Sequence, residues 1–476
     1  MPKRRPAPDA PSDPAGYTRT LEGLYARRRF GIAPGLETIR ALLAELGDPQ
    51  RAFPAVHVTG SKGKGSVAAM TQALLTGHGV RTGLFTSPHL ESYRERMQVD
   101  GRPIPPDAVQ EAVDRVAGVA ARMERDGLLT RAPTFFELTT AVALDWFARE
   151  KVEAAVVEVG VGGRLDATNV LDSRVGVVTT IELEHTEILG PTVEAIAAEK
   201  AGIFHAGMLG VVGELPPTAL AVVEGATARL GIGLWRLGTE VRVVDRTLAE
   251  DGQTFAVRVP GRTIEAIDLP LQGRFQPGNA ALAIGALVRF APAVGVDPDE
   301  RRLRSALAKV RWPGRLDRVA RRPDLFYDVA HTPESARAIA QSLGEMFPLA
   351  DPSENAVVFG CLRGKRVAPI LDALAPLART IVVVPIRSER AIPVSELRAL
   401  ASGRFPRIVE ARSAIEGQRL ARAATGPDGF TLVVGSDYLV GQLLREAHGG
   451  HDEPDLSDPG TGSYPGAGAA RGTEVP

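Results

Sequence analysis

The chain has 476 residues, 44% of them hydrophobic, which is enough for two to three domains with sizeable cores. Its 56 basic and 57 acidic residues nearly cancel, so no overall field draws it to nucleic acid or a membrane surface. No apolar run approaches the ~18 residues that cross a bilayer. The single cysteine, Cys361, excludes an intramolecular disulfide and a cysteine metal cluster, and a cytoplasmic location is predicted.

The first residues, 1–16, lack the apolar core of a signal peptide and are predicted to be a disordered lead-in. A helical pattern covers 17–46, with an interruption at 30–35. Residues 55–66 then read AVHVTGSKGKGS, a Val-rich run followed by glycines and lysines. This pattern predicts a strand, a tight loop and a helix.

The loop in 55–66 has the composition of a phosphate cradle. Glycines let the backbone N–H groups approach an oxyanion, the following helix adds its positive end, and Lys64 can reach the terminal phosphates. The spacing departs from G-x-x-x-x-G-K-[ST], because Gly60 and Gly63 are three apart and Ser66 lies two beyond the lysine. An ordinary strand-to-helix loop is therefore the alternative.

Strands and helices alternate through the next part of the chain. Strands are predicted at 82–86, 152–159 and 174–180, and helices at 106–125, 135–149 and 192–202. This rhythm predicts a mainly parallel sheet covered on both faces, with functional groups at the carboxyl ends of its strands. Residues 234–271 indicate a small antiparallel insert, and 277–290 return to a helical pattern.

Residues 311–315, RWPGR, are predicted to be a domain junction. A second alternating series follows, with strands predicted at 324–329, 356–360, 380–384, 407–409 and 429–434. We therefore expect a first domain at 17–310, a second open α/β domain at 311–446 and a disordered tail at 447–476.

Three residues at predicted strand or helix ends could carry chemistry. Glu158 ends an apolar strand, where a carboxylate suits Mg²⁺, although a strand-end salt bridge is the alternative. His185 also follows a strand, where a hydrogen-bonded structural histidine is the alternative. Lys200 lies at a helix C-terminus, where the helix dipole alone would favour a cation.

Two polar segments could bind a ligand. Residues 162–169, GGRLDATN, are either a binding loop or a tightly hydrogen-bonded turn. Asp328 follows a strand of the second domain, where an Asp commonly contacts a ribose hydroxyl, and a helix N-cap or a turn is the alternative.

Together these motifs resemble the folylpolyglutamate synthase/dihydrofolate synthase family of the Mur ligase superfamily, over about residues 17–446. The most specific of them is EVGVGGRLDATN at 158–169. The others, in chain order, are HVTGSKGKGS (57–66), TSPHL (86–90), TFFE (134–137), His185 with GPT (190–192), EKAGI (199–203), QPGN (276–279), WPGRL (312–316), DVAHTP (328–333) and GSDYL (435–439).

The resemblance implies a P-loop parallel-sheet ATPase domain with a small β insert and a second, Rossmann-like α/β domain. It also implies a ligase that adds L-glutamate to dihydropteroate, or to the γ-carboxylate of a reduced folate, through an acyl phosphate. ATP would be the co-substrate and two Mg²⁺ ions the cofactors. The protein is expected to act as a monomer on small molecules, without nucleic acid or membrane.

The resemblance also implies roles for individual residues. The ATP-binding residues would be Gly60, Ser61, Lys62, Gly63, Lys64, Gly65, Ser66, Asn279, Arg315 and Asp328. Metal ligands would be Ser66, Ser87, Glu158 and His185, and catalytic residues Lys64, Glu158, His185 and Lys200, the last matching a lysine that is carbamylated in relatives. The acceptor pocket would be lined by Gly35, Leu36, Thr134, Phe136, Asp166 and Ala167.

The chain departs from the family pattern in four places. Lys62 stands where Asn is usual, Glu184 where Asp is usual, Thr332 where Asn is usual, and 364–366 read GKR instead of DKD. These departures motivate one alternative function, a degenerate paralogue that binds nucleotide as a scaffold or regulator. A second alternative is a Mur-type ligase that joins an amino acid to a different carboxylate, against which Thr134 and Asp166 argue.

Overall fold

The computed structural model describes residues 10–27, 31 and 35–449. Residues 1–9 of the predicted lead-in and 450–476 of the predicted tail lie outside these residues, while Ala447 ends the helix Asp437–Ala447, so the prediction of disorder is wrong for 447. Helix α1 (Pro14–Tyr25) begins inside the segment 1–16, so the prediction of disorder is wrong for 14–16. Pro14 occupies the first turn and the Asp13 side chain accepts the Gly16 N–H, which together give this helix a stable start.

The first domain is built around an eight-stranded sheet with the order β4-β3-β2-β5-β1-β6-β7-β8. Its strands are β1 (Ala55–Thr59), β2 (Thr82–Phe85), β3 (Met97–Val99), β4 (Arg102–Pro103), β5 (Ala154–Glu158), β6 (Ser173–Val178), β7 (Leu209–Val212) and β8 (Leu234–Arg236). The six strands β2, β5, β1, β6, β7 and β8 are parallel to one another. At one end of the sheet β3 and β4 pair in antiparallel fashion, which the sequence pattern did not predict.

Helices cover both faces of this sheet. They are α2 (Glu37–Glu45), α3 (Lys64–Gly77), α4 (Pro106–Arg125), α5 (Phe135–Arg149), α6 (Thr186–Leu189), α7 (Val193–Ala201), α8 (Pro217–Arg229), α9 (Gln276–Phe290) and α10 (Glu300–Leu307). The predicted helices at 106–125 and 135–149 are confirmed. The central strands β1 and β5 are buried along their whole length, which explains their continuous apolar sequence.

The predicted antiparallel insert exists, but it is shorter than 234–271. It consists of β9 (Arg242–Ala249), β10 (Gly252–Val259) and β11 (Arg262–Leu269), which form a separate three-stranded sheet. The first residues of the range, Leu234–Arg236, instead pair with β7 as the edge strand of the main sheet. The insert packs its apolar face onto α9 and α10 in the same core as α3.

The second domain has a six-stranded sheet with the order β12-β13-β17-β14-β15-β16. Its strands are β12 (Asp317–Ala320), β13 (Asp324–Tyr327), β14 (Ala356–Phe359), β15 (Thr380–Val383), β16 (Arg407–Glu410) and β17 (Phe430–Val434). Helices α11 (Pro333–Met346), α12 (Val367–Leu374), α13 (Val394–Ala401), α14 (Ala414–Ala424) and α15 (Asp437–Ala447) cover it. All pairs are parallel except β12 with β13, so the α/β prediction is confirmed.

One helical stretch in the described part of the chain, Gln276–Val294, is long and apolar enough to cross a membrane by length and composition. However, 67% of its apolar window is buried inside the fold, where α9 packs against α3. A core helix of this kind passes the same test of length and composition.

Candidate active site

The two sheets present the carboxyl ends of their strands to one cavity of about 700 Å³. In the first domain the loops after the neighbouring strands β2, β5, β1 and β6 line it. In the second domain the loops after β13, β17 and β14 line it. The predicted gathering of functional groups at strand carboxyl ends is therefore observed in both domains.

The phosphate loop opens α3 with its glycines in unusual backbone conformations. Gly63 precedes the helix with φ 84°, and Lys64 donates from Nζ to the Gly60 carbonyl at 2.9 Å. The amides of Ser61 and Lys62 already donate to the Thr180 carbonyl and hydroxyl. The amides left to face an anion are therefore those at the start of α3, from Gly63 to Ser66.

Two glycines of the loop are required by close neighbours. A Cβ on Gly63 would lie 2.7 Å from Asn279 Oδ1, and one on Gly65 would lie 3.1 Å from the Trp312 ring. Asn279 is at the start of α9 and Trp312 is in the domain junction. The loop is thus packed directly against the residues that approach from α9 and the second domain.

Glu158 ends β5 with its side chain buried, and its Oε2 accepts the Ser87 N–H at 3.0 Å. Burial raises the pKa of this carboxyl, while Lys64, Arg315 and Arg96 oppose the rise. Glu158 does not form the salt bridge that was the alternative prediction, because no Lys or Arg nitrogen of the described residues lies within 4 Å of its carboxylate. A buried carboxylate among distributed cations suits a site that receives a metal together with phosphates.

His185 follows β6 in a left-handed backbone conformation, with φ 47°. Burial lowers the pKa of its imidazole, although Glu184 opposes this, and the lowering favours the neutral ring that can coordinate a metal. The described residues contain no group of three or more His, Cys, Asp or Glu side chains that could hold a metal by themselves. The predicted set relies instead on two hydroxyls, Ser66 and Ser87, which fits an ion that keeps waters and phosphate oxygens.

Lys200 is buried more deeply than its place at the end of α7 would require. Its side chain is 2% exposed and Nζ donates to Glu184 Oε1 at 3.0 Å, while Lys62 Nζ lies 3.6 Å from Glu184 Oε2. Burial lowers the pKa of Lys200 to about 8. An ion pair therefore holds this lysine, in addition to the helix dipole that the sequence suggested.

The loop at 162–169 is both hydrogen-bonded and part of the cavity wall. Asn169 donates to the Arg164 and Gly202 carbonyls, and Asp166 accepts the Val161 and Thr168 N–H groups. A Cβ on Gly160 would lie 2.6 Å from the Phe136 ring, which explains why this position is glycine. The segment is therefore a hydrogen-bonded turn, as one interpretation predicted, and it also lines the cavity, as a binding loop would.

Asp328 joins two loops of the second domain. Its Oδ2 accepts the Leu316 N–H and its Oδ1 accepts the Ala330 N–H, each at 2.7 Å. Burial raises the pKa of Asp328 to about 6, although Arg315 opposes the rise. The turn interpretation is confirmed, while α11 is capped by Thr332 and not by Asp328.

Most of the predicted site residues line the one cavity. They are Gly35, Ser61, Lys62, Gly63, Lys64, Gly65, Ser66, Ser87, Thr134, Phe136, Glu158, Asp166, Ala167, His185, Asn279, Arg315 and Asp328. Three predicted residues do not line the cavity. Gly60 packs on Thr179, Leu36 is part of a hydrophobic core, and Lys200 is buried and paired with Glu184, which does line the cavity.

Sequence reasoning missed several residues that line the cavity. Arg96 lies in a charged segment that resembles a solvated loop, but its side chain is only 4% exposed. Glu182, Lys365 and Arg390 also line the cavity, and only tertiary packing brings them there. The Pro88-His89 pair belongs to a motif that the sequence analysis singled out, and His89 contacts Arg96, but nothing in the motif pointed to Arg96 itself.

The sequence matches two family profiles, the Mur ligase middle domain over residues 107–287 and the glutamate ligase domain of Mur ligases over 314–436. It is 36% identical to the dihydrofolate synthase/folylpolyglutamate synthase of Mycobacterium tuberculosis over 84% of each chain. The chain belongs to the folylpolyglutamate synthase/dihydrofolate synthase family. As a family member it is a ligase, and the family and fold predictions from the sequence are confirmed.

Further relatives agree with this family. The folylpolyglutamate synthase of Lacticaseibacillus casei is 32% identical over 91% of this chain and 99% of its own. A crystal structure of the Mycobacterium tuberculosis folylpolyglutamate synthase with ADP and AMPPCP superposes with a TM-score of 0.84, at 34% identity, over 92% of this chain and all of that one. Escherichia coli FolC in complex with DHPP and ADP gives a TM-score of 0.78 at 29% identity, over 90% of this chain and 97% of that chain.

Proposed function

We propose that this chain uses Mg-ATP to join L-glutamate to the carboxylate of dihydropteroate, or to the γ-carboxylate of a reduced folate that already carries glutamate. The observation that carries this proposal is the single cavity between the two sheets. Lys64 and Glu158 line it from the first domain, and Arg315 and Asp328 line it from the second. The nucleotides named with the solved relatives support ATP as the co-substrate.

The phosphate site is proposed at the start of α3. The amides from Gly63 to Ser66 and the Lys64 ammonium would hold the β- and γ-phosphates. Lys64 would exchange the Gly60 carbonyl for a phosphate oxygen. Asn279 and Arg315 would contact the nucleotide from the other side of the cavity, and Asp328 would hold the loop that carries Arg315 and could accept from the ribose.

The donor set at the end of β5 fits magnesium. Glu158, Ser66, Ser87 and His185 would hold it, with Glu158 the one carboxylate among them. Bound there, Mg²⁺ would neutralise charge on the phosphates during transfer. The number of ions, expected to be two, stays a prediction.

Two displacements complete the proposed reaction. A carboxylate oxygen of the acceptor attacks the γ-phosphorus of ATP, and ADP leaves. The glutamate amine then attacks the acyl carbon, loses a proton, and displaces inorganic phosphate to give the amide. The chain contributes positioning and positive charge, which is the main requirement of phosphoryl transfer.

The proposal that Lys200 is carbamylated also stays open. Its lowered pKa favours the neutral amine that carbon dioxide requires. A carbamate there would lie beside the Glu184 carboxylate, so a cation would have to separate the two anions. Activity that falls in carbon-dioxide-free buffer and returns with bicarbonate would support this modification.

The function is tested by phosphate release from Mg-ATP with dihydropteroate and tetrahydrofolate assayed side by side. We expect release only when glutamate and one of these acceptors are both present, with formation of the corresponding amide. Release that needs neither acceptor, or that needs a different carboxylate, would contradict the proposal. Monomeric action and a cytoplasmic location stay predictions.

A further inference from the structure

Arg96 is a buried arginine that faces the cavity without a carboxylate partner. It lines the cavity, its residue is 4% exposed, and no Asp or Glu oxygen of the described residues lies within 4 Å of its guanidinium. Its guanidinium makes one hydrogen bond to the described residues, from Nε to His89 Nδ1 at 2.8 Å. Burying a charge without a counter-ion is costly, so this position calls for an anionic ligand.

The surroundings of Arg96 hold it in one orientation. Its guanidinium lies over the Phe135 ring, 5.3 Å from the centroid, and Phe135 stacks on Tyr25. Because His89 Nδ1 accepts from Arg96, its Nε2 carries the hydrogen and can donate to the Tyr25 hydroxyl at 3.4 Å. The backbone is fixed as well, since the Arg96 carbonyl accepts the Thr86 N–H next to Ser87.

The position of Arg96 identifies the anion. Phe135, under the guanidinium, lies between Thr134 and Phe136, which line the wall assigned to the acceptor. On the other side the Arg96 carbonyl accepts the Thr86 N–H, and the next residue, Ser87, donates its N–H to Glu158 Oε2 at 3.0 Å. Arg96 therefore lies between the acceptor wall and the proposed metal ligand, where the reacting end of the acceptor must be placed.

We propose that Arg96 binds the acceptor carboxylate that becomes phosphorylated, and that His89 is a positioning residue for it. This inference rests on the proposed function and adds a residue to it. The attacking carboxylate and the γ-phosphate are both anions and repel each other at reaction distance. A planar guanidinium can hold a carboxylate through two parallel hydrogen bonds and offset that repulsion.

The test compares dihydropteroate with its carboxamide, which keeps the shape but loses the negative charge. Binding of each is measured with Mg²⁺ and AMPPCP present, in the wild type and in Arg96→Gln. The wild type should prefer the carboxylate by about 10- to 100-fold, as expected for a charge-assisted hydrogen-bonded pair, and Arg96→Gln should lose most of this preference. Binding of AMPPCP itself should be unchanged.

Arg94→Gln is the matched control. Arg94 is on the same 3₁₀ helix, Tyr93–Arg96, and is also buried, but it donates to the Ile104 carbonyl and does not line the cavity. It should keep the wild-type preference. His89→Phe, which keeps a ring but removes the acceptor of the Arg96 hydrogen bond, should lower the preference partly and lower kcat more than it raises KM for ATP.

Three results would overturn the inference about Arg96. The first is that Arg96→Gln still prefers the carboxylate over the carboxamide as strongly as the wild type does. The second is that Arg96→Gln weakens the binding of AMPPCP and leaves the preference for the carboxylate unchanged. If Arg96→Gln does not fold, Arg96→Met replaces it, and full preference in that folded variant is the third. A wild type that binds neither ligand nor turns over the acceptor would instead refute the proposed function.

Discussion

Glu184 Oε1 accepts a hydrogen bond from the ammonium of Lys200 at 3.0 Å, and its Oε2 faces Lys62 at 3.6 Å. Two positions at which the chain departs from the family pattern, Lys62 and Glu184, are thus in contact. Glu184 therefore pairs with two lysines from different segments of the chain.

Glu184→Gln should destabilise the fold by about 3 kcal/mol, because it leaves the buried Lys200 ammonium without its counter-ion. Adding Lys200→Met should recover at least half of the loss, since the buried charge is then removed. Urea unfolding of the single and double variants measures both. Glu199→Gln is the control, because Glu199 pairs with the exposed Arg164 and should cost at most about 1 kcal/mol. No recovery in the double variant would contradict this account.

Glu158→Ala should lower kcat by about 10²- to 10³-fold or more, because it removes the one carboxylate proposed to hold the metal. Steady-state kinetics over a magnesium titration measures the loss. Glu153→Gln is the matched control, since Glu153 precedes the other end of the same strand and contacts Arg81 at the surface. Near-normal activity in Glu158→Ala would refute the metal assignment.

Gly63→Ala should weaken binding of an ATP analogue by about tenfold or more, because the new Cβ meets Asn279 at 2.7 Å and moves the loop. Gly79→Ala is a control for the backbone term alone, since Gly79 has a similar φ of 88° and an added Cβ there would meet nothing within 4 Å. It should cost about 1 kcal/mol of stability and leave nucleotide affinity intact. Equal effects on affinity from the two substitutions would contradict the packing argument.

The charge of Asp328 should destabilise the fold at neutral pH and not at low pH. Its folded-state pKa is about 6, above the ordinary 3.8, so the cost is absent below about pH 4 and complete above about pH 6. Asp328→Asn removes the charge but also a hydrogen-bond acceptor, so its absolute effect has two parts. Only the charge part changes with pH.

The stability of Asp328→Asn relative to the wild type should therefore rise between pH 4.5 and pH 7.5, by about 2 kcal/mol. Urea unfolding of both proteins at the two pH values measures the change. A difference in stability that is the same at both pH values would show that burial does not raise this pKa.

Local patterns in the chain predicted a large part of the fold. The helices at 106–125 and 135–149 have the bounds that their sequences indicate, because an amphipathic periodicity after a first-turn proline defines the first, and an apolar run after the Thr134–Glu137 capping box defines the second. The strands β3, β4, β8 and β12, at or next to the sheet edges, were missed or misplaced. Each is only two to four residues long and gains its hydrogen bonds from a neighbouring strand that local periodicity does not reveal.

The sequence by itself determined the family, the two α/β sheets, and the motifs at the carboxyl ends of the strands, because glycines, lysines and acids after apolar runs are visible locally. Only the tertiary structure decided that Glu184 joins Lys200 to Lys62 and that Arg96 is a buried cation facing the cavity. The reason is physical: burial and charge pairing depend on which distant segments approach one another, and a linear pattern does not contain those distances.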